Sequence, residues 1–499
     1  MSIAKQDFNT FISNFEVRLR SLFREENDIN KLSLERGLPA HILKEIMAMQ
    51  PLSVAVAEQY GGRGAQVKEC LGILSAASYE SLPLSLTFGI NIALFLEPLL
   101  KYGHESAKER IFKNFISKSE MGGLMITEPD YGSDALNMKT ASKLHADGYH
   151  VKGVKHWQGL TGMANHWLIA SRNENADGQL GRDIDFFLCD IAAPNQQIIV
   201  EEYFDNAGLY MIPYGRNIID IIVPADQKLI PHSTGIKMML DILHRSRMQF
   251  PGMAMGFVKR MLDEAIDHCS NRKVGNSNLL AMDNVKYQIS RIQHAYTICS
   301  AMCARSSEIS SVSNDLAAQG IEANTIKAVV TDLMQESAHT LVQLSGANGF
   351  KISHIGGRGI MDSRPFQIFE GSNEMLYAQL SEAVLKMMKK VKQLNLFEFL
   401  KDFELSSLAA PYFKELLSFT ISEQVEQRSA VVLGKIISRV ICASYVLSLG
   451  AKGYRTELVD NSIKSTMQEL SALISNFKCD NNTNVVSEYE DGSTWLNFV

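Results

Sequence analysis

No stretch of this chain approaches the roughly 20 uninterrupted apolar residues that crossing a bilayer needs. Residues 1–28 mix charges with Phe and Leu and lack the apolar core and cleavage site of a secretory leader. These absences predict a chain that neither spans a membrane nor carries an export signal. Cysteine is scarce too: there are seven, an odd number, with no CxxC pair and no histidine cluster at zinc spacing. No disulfide framework and no metal site are expected, and a reducing, cytoplasmic location is. Cys299 and Cys303, four apart in a helical pattern, read as small core residues. Positive charge is also in short supply. A formal net charge of -6 argues against nucleic acid or an anionic membrane as the main partner, which leaves small molecules and other proteins.

What is present is ordinary globular composition, 46% hydrophobic and 21% charged, over a length that allows two to four domains. The hydrophobic period divides the chain. Residues 1–120 are helical in pattern, with Phe8, Phe11, Ile12 and Phe15 on one face and a long apolar run from Gly72 to Pro98 that Pro83 should break. The Gly61-Gly62-Arg63-Gly64 turn is read as a helix connector rather than a phosphate loop. Residues 121–231 change to short β-type runs at Tyr149–Val154, Trp167–Ala170, Asp185–Leu188, Gln197–Val200 and Ile218–Val223, separated by turn chemistry. Residues 232–393 return to helix, with long patterns at Met253–Ile266, Asn284–Ser310 and Ile321–Leu344. Residues 394–499 add two more helical patterns, Gln424–Leu449 and Val459–Phe477, before a polar end from Asp480 that is expected to be mobile. The fold class is therefore α+β, mainly α: an N-terminal helical domain, a central antiparallel β domain, a helical bundle and an extra helical segment.

One carboxylate stands out. In Gln367-Ile368-Phe369-Glu370-Gly371-Ser372-Asn373-Glu374-Met375-Leu376, Glu370 lies between an apolar run and a glycine turn that opens a helix. Desolvation by Ile368, Phe369 and Met375 would raise its pKa and make it a stronger base. A solvated loop acid is the plainer alternative on spacing alone.

Four motifs in order over residues 10–390 closely resemble the acyl-CoA dehydrogenase family. They are Met125-Ile126-Thr127-Glu128-Pro129-Asp130-Tyr131-Gly132-Ser133-Asp134, the Tyr149–Asn165 stretch with Lys155-His156-Trp157, Gln343-Leu344-Ser345-Gly346-Ala347-Asn348-Gly349-Phe350, and Phe369-Glu370-Gly371-Ser372. The resemblance implies a four-helix C-terminal bundle and homodimers or homotetramers with FAD at the interfaces. It implies FAD contacts from Met125, Ile126, Thr127, Gly132 and Ser133, from Trp157, Gln158 and Gly159, from Arg272, from Gln343, Gly346 and Ala347, and from Gly371, Ser372 and Glu374. The acyl thioester, carried by CoA or an acyl carrier protein, would meet Ser133, His244, Arg247 and Gly371. Glu370 would take the α-proton while flavin N5 takes the β-hydride, giving a trans-2-enoyl thioester in fatty acid metabolism, with electron-transfer flavoprotein as acceptor. The chemistry suits the residues: an aromatic or apolar wall such as Trp157 fits a flat isoalloxazine, and a carboxylate bears charge only in the form that accepts a proton.

Four positions depart from the family pattern. Gly159 stands where Thr or Ser is usual, Arg272-Lys273-Val274-Gly275 is one residue short and lacks its aromatic, Met361 replaces the Arg before Asp362, and Tyr131 replaces a small residue. These changes suggest a specialised member. The same fold can serve as an acyl-CoA oxidase or a flavin monooxygenase, and a non-catalytic flavin-binding interaction protein is a third reading.

Overall fold

Apolar residues spaced by three and four fold into helices close to the predicted positions, and Pro83 acts as the predicted break. The computed structural model describes residues 6–422, 424–479 and 484–499. The Phe8–Arg20 helix is capped by Asp7, which accepts from Thr10 N, and buries Phe11, Phe15 and Leu19. Val67–Glu80 stops at Ser81, whose hydroxyl caps the next helix, Leu82–Asn91, with Pro83 in its first turn. Proline is tolerated there because the missing N–H would have no intrahelical partner. The run continues through a π-helical turn, Ile92–Leu96, into Glu97–Tyr102. Gly61 takes φ 91° and closes a short connecting turn, as read from the sequence.

Leu82–Tyr102 and Gln427–Ala451 are each long and apolar enough to cross a membrane, which corrects the expectation that none would be. Their apolar windows are 94% and 78% buried inside the protein, so both are core helices.

The central domain is one seven-stranded sheet: β1 (Gly122–Met125), β2 (Ala141–His145), β3 (Gly148–Gly159), β4 (His166–Asn173), β5 (Asp185–Asp190), β6 (Ile199–Tyr203) and β7 (Tyr214–Val223). The order is β1-β4-β2-β3-β7-β6, with β5 on β4. Pairing is mainly antiparallel, while β4 runs parallel to β1 and β2. A bulge between His156 and Gln158 holds Trp157 at φ 65°. A bulge leaves one residue outside the ladder and re-aims its side chain. Here that residue is the tryptophan.

The bundle helices are Phe250–Asn271, Asp283–Ile309, Gly320–Ser345 and Asn373–Lys390, preceded by Gly235–Arg247. The C-terminal helices Gln427–Ala451 and Thr456–Lys478 do not hang from this bundle. Gly434 lies so close to Tyr377 of the fourth bundle helix that an added Cβ would be 2.1 Å from the Tyr377 carbonyl oxygen. Glu469 of the last helix pairs with Arg291 of the second bundle helix at 2.6 Å and with Arg439 at 2.6 Å, and His294 bonds Ser462 at 2.8 Å. Of the polar end predicted from Asp480, residues 480–483 lie outside the described residues, and 484–499 are exposed, with turns over 487–493 and a short 3-10 turn at Trp495–Asn497.

Candidate active site

Glu370 precedes the fourth bundle helix in a left-handed conformation, φ 54°, followed by Gly371 at φ 94°. Left-handed backbone is uncommon for a residue with a Cβ and persists only when its surroundings hold it. Arg247 donates from Nη2 to the Glu370 carbonyl at 2.8 Å and from Nη1 to Asn324 Oδ1 at 2.7 Å. Lys327 donates to the Gly371 carbonyl at 2.8 Å and to Asn373 Oδ1 at 2.9 Å. Ser372 caps the helix by accepting from Met375 N. The loop is thus held by its backbone, and the Glu370 side chain is left to face the site.

That side chain is half satisfied. Oε1 accepts from Ser246 Oγ at 2.8 Å, while Oε2 is buried with no partner. The Glu370 N–H meets no acceptor among the described residues. Burial raises the carboxyl above its ordinary value, and the Ser246 hydroxyl, Arg247 and Lys327 hold the rise in check. Phe369 packs on Phe366 and Phe250, with centroids 5.0 and 6.0 Å away, and the Met375 side chain closes over Gly371. Ile368 points outward instead and is 57% exposed, which corrects its predicted part in drying the base. Burial pushes Lys327 down to about 7.

The resembling motifs fall into three groups. Met125, Ile126 and Thr127 leave β1 beside Lys155–Gly159: Lys155 Nζ donates to Ile126 O at 3.0 Å, His156 N to Thr127 O at 2.9 Å and Gln158 Nε2 to Thr127 O at 3.1 Å. Lys155 also meets Glu128 at 3.0 Å, whose carboxylate accepts from the backbone of Lys139 and Thr140 and so pins the loop that carries the exposed Gly132 and Ser133. Trp157 is 51% exposed and lies 4.5 Å from the Phe204 ring, an aromatic wall open to solvent. A side chain at Gly159 would have to displace the tip of Ile90, since a Cβ would come within 2.8 Å of Ile90 Cδ1 and 3.4 Å of Ile212 and Tyr214. The departure at this position is therefore built into the packing.

The second group is Ser246, Arg247, Glu370 and Gly371, together as described. His244 does not join it. Its Nδ1 bonds the Leu316 carbonyl at 2.7 Å, and burial lowers its pKa to about 4. Arg245 is likewise occupied by the Ser310, Ser311 and Asn314 carbonyls and by Asp241.

The third group, Arg272, Gln343, Gly346 and Ala347, is exposed at one end of the bundle. Gln343 lies sixteen residues along the same helix from Lys327, about 24 Å at the α-helical rise. Glu374 is exposed between these regions, and Asp362, behind Met361, accepts from Leu209 N at 2.7 Å and ties the β domain to the bundle.

Four supporting residues escaped the sequence reading: Ser246 as a hydrogen-bond partner of the base, Asn324, Lys327, and Asp332, which accepts from Gln367 and Asn373 at 2.7 Å each. The signal for Lys327 was there, a lone charge among Ile326, Ala328, Val329 and Val330. The others are polar residues on helices, indistinguishable by spacing from a solvated face.

Comparison with known proteins matches three family models in series: the acyl-CoA dehydrogenase N-terminal domain over residues 15–119, the middle domain over 123–220 and the C-terminal domain over 233–385. An acyl-CoA dehydrogenase of Bacillus subtilis (strain 168) is 22% identical over 70% of this chain and 90% of its own. Among solved structures, an acyl-CoA dehydrogenase complexed with FAD from Bacillus anthracis is 18% identical, with a TM-score of 0.74 over 94% of this chain and 86% of its own. That span reaches past the matched domains into the C-terminal helices. A prolyl acyl carrier protein oxidase, AnaB, is 17% identical, with a TM-score of 0.68 over 76% of this chain and 98% of its own.

Proposed function

The chain belongs to the acyl-CoA dehydrogenase family, FAD-dependent oxidoreductases acting on CH–CH groups, and from that premise we propose that it oxidises an acyl thioester to the trans-2-enoyl thioester with Glu370 as the base. The observation that carries the reading is the buried, unpartnered Oε2 of Glu370. An acceptor without a donor inside a folded protein costs free energy unless something fills it. A substrate C–H presented to that oxygen puts the cost to use.

The chain's own groups then have these roles. Ser246 fixes the carboxylate rotamer through Oε1, so the free oxygen has one orientation. Arg247 and Lys327 hold the loop by its carbonyls and place positive charge near the carboxylate. The uncommitted N–H of Glu370 is free to meet the thioester oxygen as charge develops there. An acyl chain entering beside Phe369 and Met375 excludes water and raises the basicity of Glu370 further.

The residues present fit FAD. The half-exposed Trp157, with Phe204 beside it, offers an aromatic face, and the Ile126 and Thr127 carbonyls are hydrogen-bonded to Lys155, His156 and Gln158 of the strand that carries Trp157. When bound, FAD supplies the acceptor for the β-hydride. The exposed group at Arg272, Gln343, Gly346 and Ala347, with Gln343 about 24 Å along the third bundle helix from Lys327, would meet FAD bound to another subunit of a homodimer or homotetramer. CoA or an acyl carrier protein would carry the substrate, electron-transfer flavoprotein would accept the electrons, and the cytoplasm is the proposed location.

The test is anaerobic bleaching of the yellow holoenzyme by a panel of acyl-CoAs and acyl carrier proteins. Glu370→Gln should keep FAD and lose bleaching by at least a thousandfold. Full turnover by Glu370→Gln would remove the assignment. Reoxidation by electron-transfer flavoprotein faster than by air separates a dehydrogenase from an oxidase or monooxygenase.

A further inference from the structure

The loop that carries Glu370 is held from behind as well as from the front. Gln367 and Asn373, three residues on either side of Glu370, both donate to one oxygen, Asp332 Oδ1, at 2.7 Å each. The other oxygen of Asp332 accepts from the Tyr377 hydroxyl at 2.8 Å. One carboxylate on the third bundle helix therefore clamps both ends of residues 367–373. Tyr377, one turn into the fourth bundle helix, steadies that clamp.

The C-terminal helix Gln427–Ala451 makes its tightest backbone approach to the bundle at Tyr377. Gly434 approaches its backbone so closely that no side chain fits between. Lys435 Nζ stands 5.6 Å over its ring, and Arg439, one helical turn further on, is locked by Glu469 of the last helix at 2.6 Å. Glu469 in turn reaches Arg291 on the second bundle helix at 2.6 Å. A cover for an apolar bundle face would need only apolar contact. Here a buried, charge-locked joint falls on the one side chain whose hydroxyl anchors the base loop.

We propose that the two C-terminal helices are a positioning element for catalysis: by seating Tyr377 they fix Asp332, and through Asp332 they fix the register of residues 367–373 and the aim of Glu370. Tyr377, Asp332 and Gly434 are positioning residues in this scheme and touch neither substrate nor cofactor. The proposal rests on Glu370 being the base, but the loop geometry it predicts can be read without turnover.

The experiment uses the full-length holoenzyme as Tyr377→Phe, Gly434→Ala and Glu370→Gln, with hydrogen–deuterium exchange of the 365–376 peptide, FAD content, kcat and KM as readouts. Tyr377→Phe removes one hydroxyl from an otherwise intact ring, and Gly434→Ala pushes the C-terminal helix off Tyr377. Both should speed exchange in the loop at least fivefold and lower kcat at least tenfold, while KM and FAD content stay within about twofold. If either folded variant keeps wild-type loop exchange and kcat, the helices only stabilise the fold and the proposal falls. Should Gly434→Ala fail to fold, Lys435→Met combined with Arg439→Lys makes the same test of the joint. Faster loop exchange alongside an active Glu370→Gln would leave the clamp standing as a structural device and overturn its catalytic role, which separates this inference from the assignment of the base.

Discussion

A carboxylate that must take a proton from carbon needs basicity and aim, and at Glu370 a single hydroxyl serves both. Ser246 donates to Oε1 and thereby favours the charged form, opposing the burial that disfavours it. Ser246→Ala removes the donor, so the pKa should rise and the acid limb of the kcat profile should move to higher pH. A hydrogen bond to a charged group is worth about 1.5–3 kcal/mol and one pH unit corresponds to about 1.4 kcal/mol, so a shift of about one to two units is expected. A limb that stays in place would mean that another group titrates in turnover. Lys327 gives a second residue-level test, in stability. Its folded pKa is lowered to about 7 from 10.5, so between these values the folded chain binds fewer protons than the unfolded one, and stability rises with pH. Lys327→Met lacks this gain. The urea midpoint of the wild type should rise relative to that of the variant between pH 7 and pH 10, and parallel midpoints would show that folding does not lower the pKa of this lysine. From sequence, Glu370 was legible because an apolar frame and a glycine turn mark it locally. Ser246, 124 positions away, was not, because hydrogen bonding between distant segments leaves no local pattern.

At the scale of elements, the informative contact is between the Leu82–Asn91 helix and strand β3. Ile90 fills the space that a side chain at Gly159 would need, with its Cδ1 2.8 Å from the position of a Cβ. The two residues form a pair: a large one on the helix and none on the strand. Gly159→Thr alone should destabilise the protein by about 1–3 kcal/mol through overpacking. Ile90→Ala alone should cost about 2–5 kcal/mol for the cavity it leaves. The double variant should be more stable than the sum of the two predicts, by at least about 0.5 kcal/mol, because each change relieves the other. Additive effects in thermal or urea unfolding would refute the pairing. The departure at Gly159 was visible in the sequence, but its partner was not, since a helix–strand contact follows from tertiary packing. The elements themselves were legible to within a few residues: the predicted Gln424–Leu449 and Val459–Phe477 are Gln427–Ala451 and Thr456–Lys478. Helical periodicity over twenty residues is a strong local signal. Strands β1 and β2, of four and five residues, carry too few alternations to show one, and neither was among the predicted runs.

At the scale of the molecule, the last hundred residues read as an appendage in sequence because two amphipathic helices after a complete domain look separable. Their charges show otherwise. Glu469 holds Arg439, Arg291 and His294 in one buried cluster that joins the last helix, the helix before it and the second bundle helix. Against the burial that would raise it, the Arg439 charge, the hydrogen bond with His294 and the Arg291 charge hold the Glu469 carboxyl far below the usual range. A depressed carboxylate contributes stability that is complete above its unfolded pKa, near 4.5, and is lost as pH falls toward the folded value. Glu469→Gln leaves buried arginines without a counter-charge, and breaking a buried pair from one side costs about 3–5 kcal/mol. At pH 7 the variant should therefore unfold well below the wild type. As pH falls below about 4.5 the wild-type carboxylate begins to lose its advantage, and the two unfolding midpoints should converge. A constant gap down to pH 3 would mean that Glu469 acts through packing alone. If the gap closes and loop exchange around Glu370 rises together in the variant, the charge cluster links the end of the chain to its reactive carboxylate.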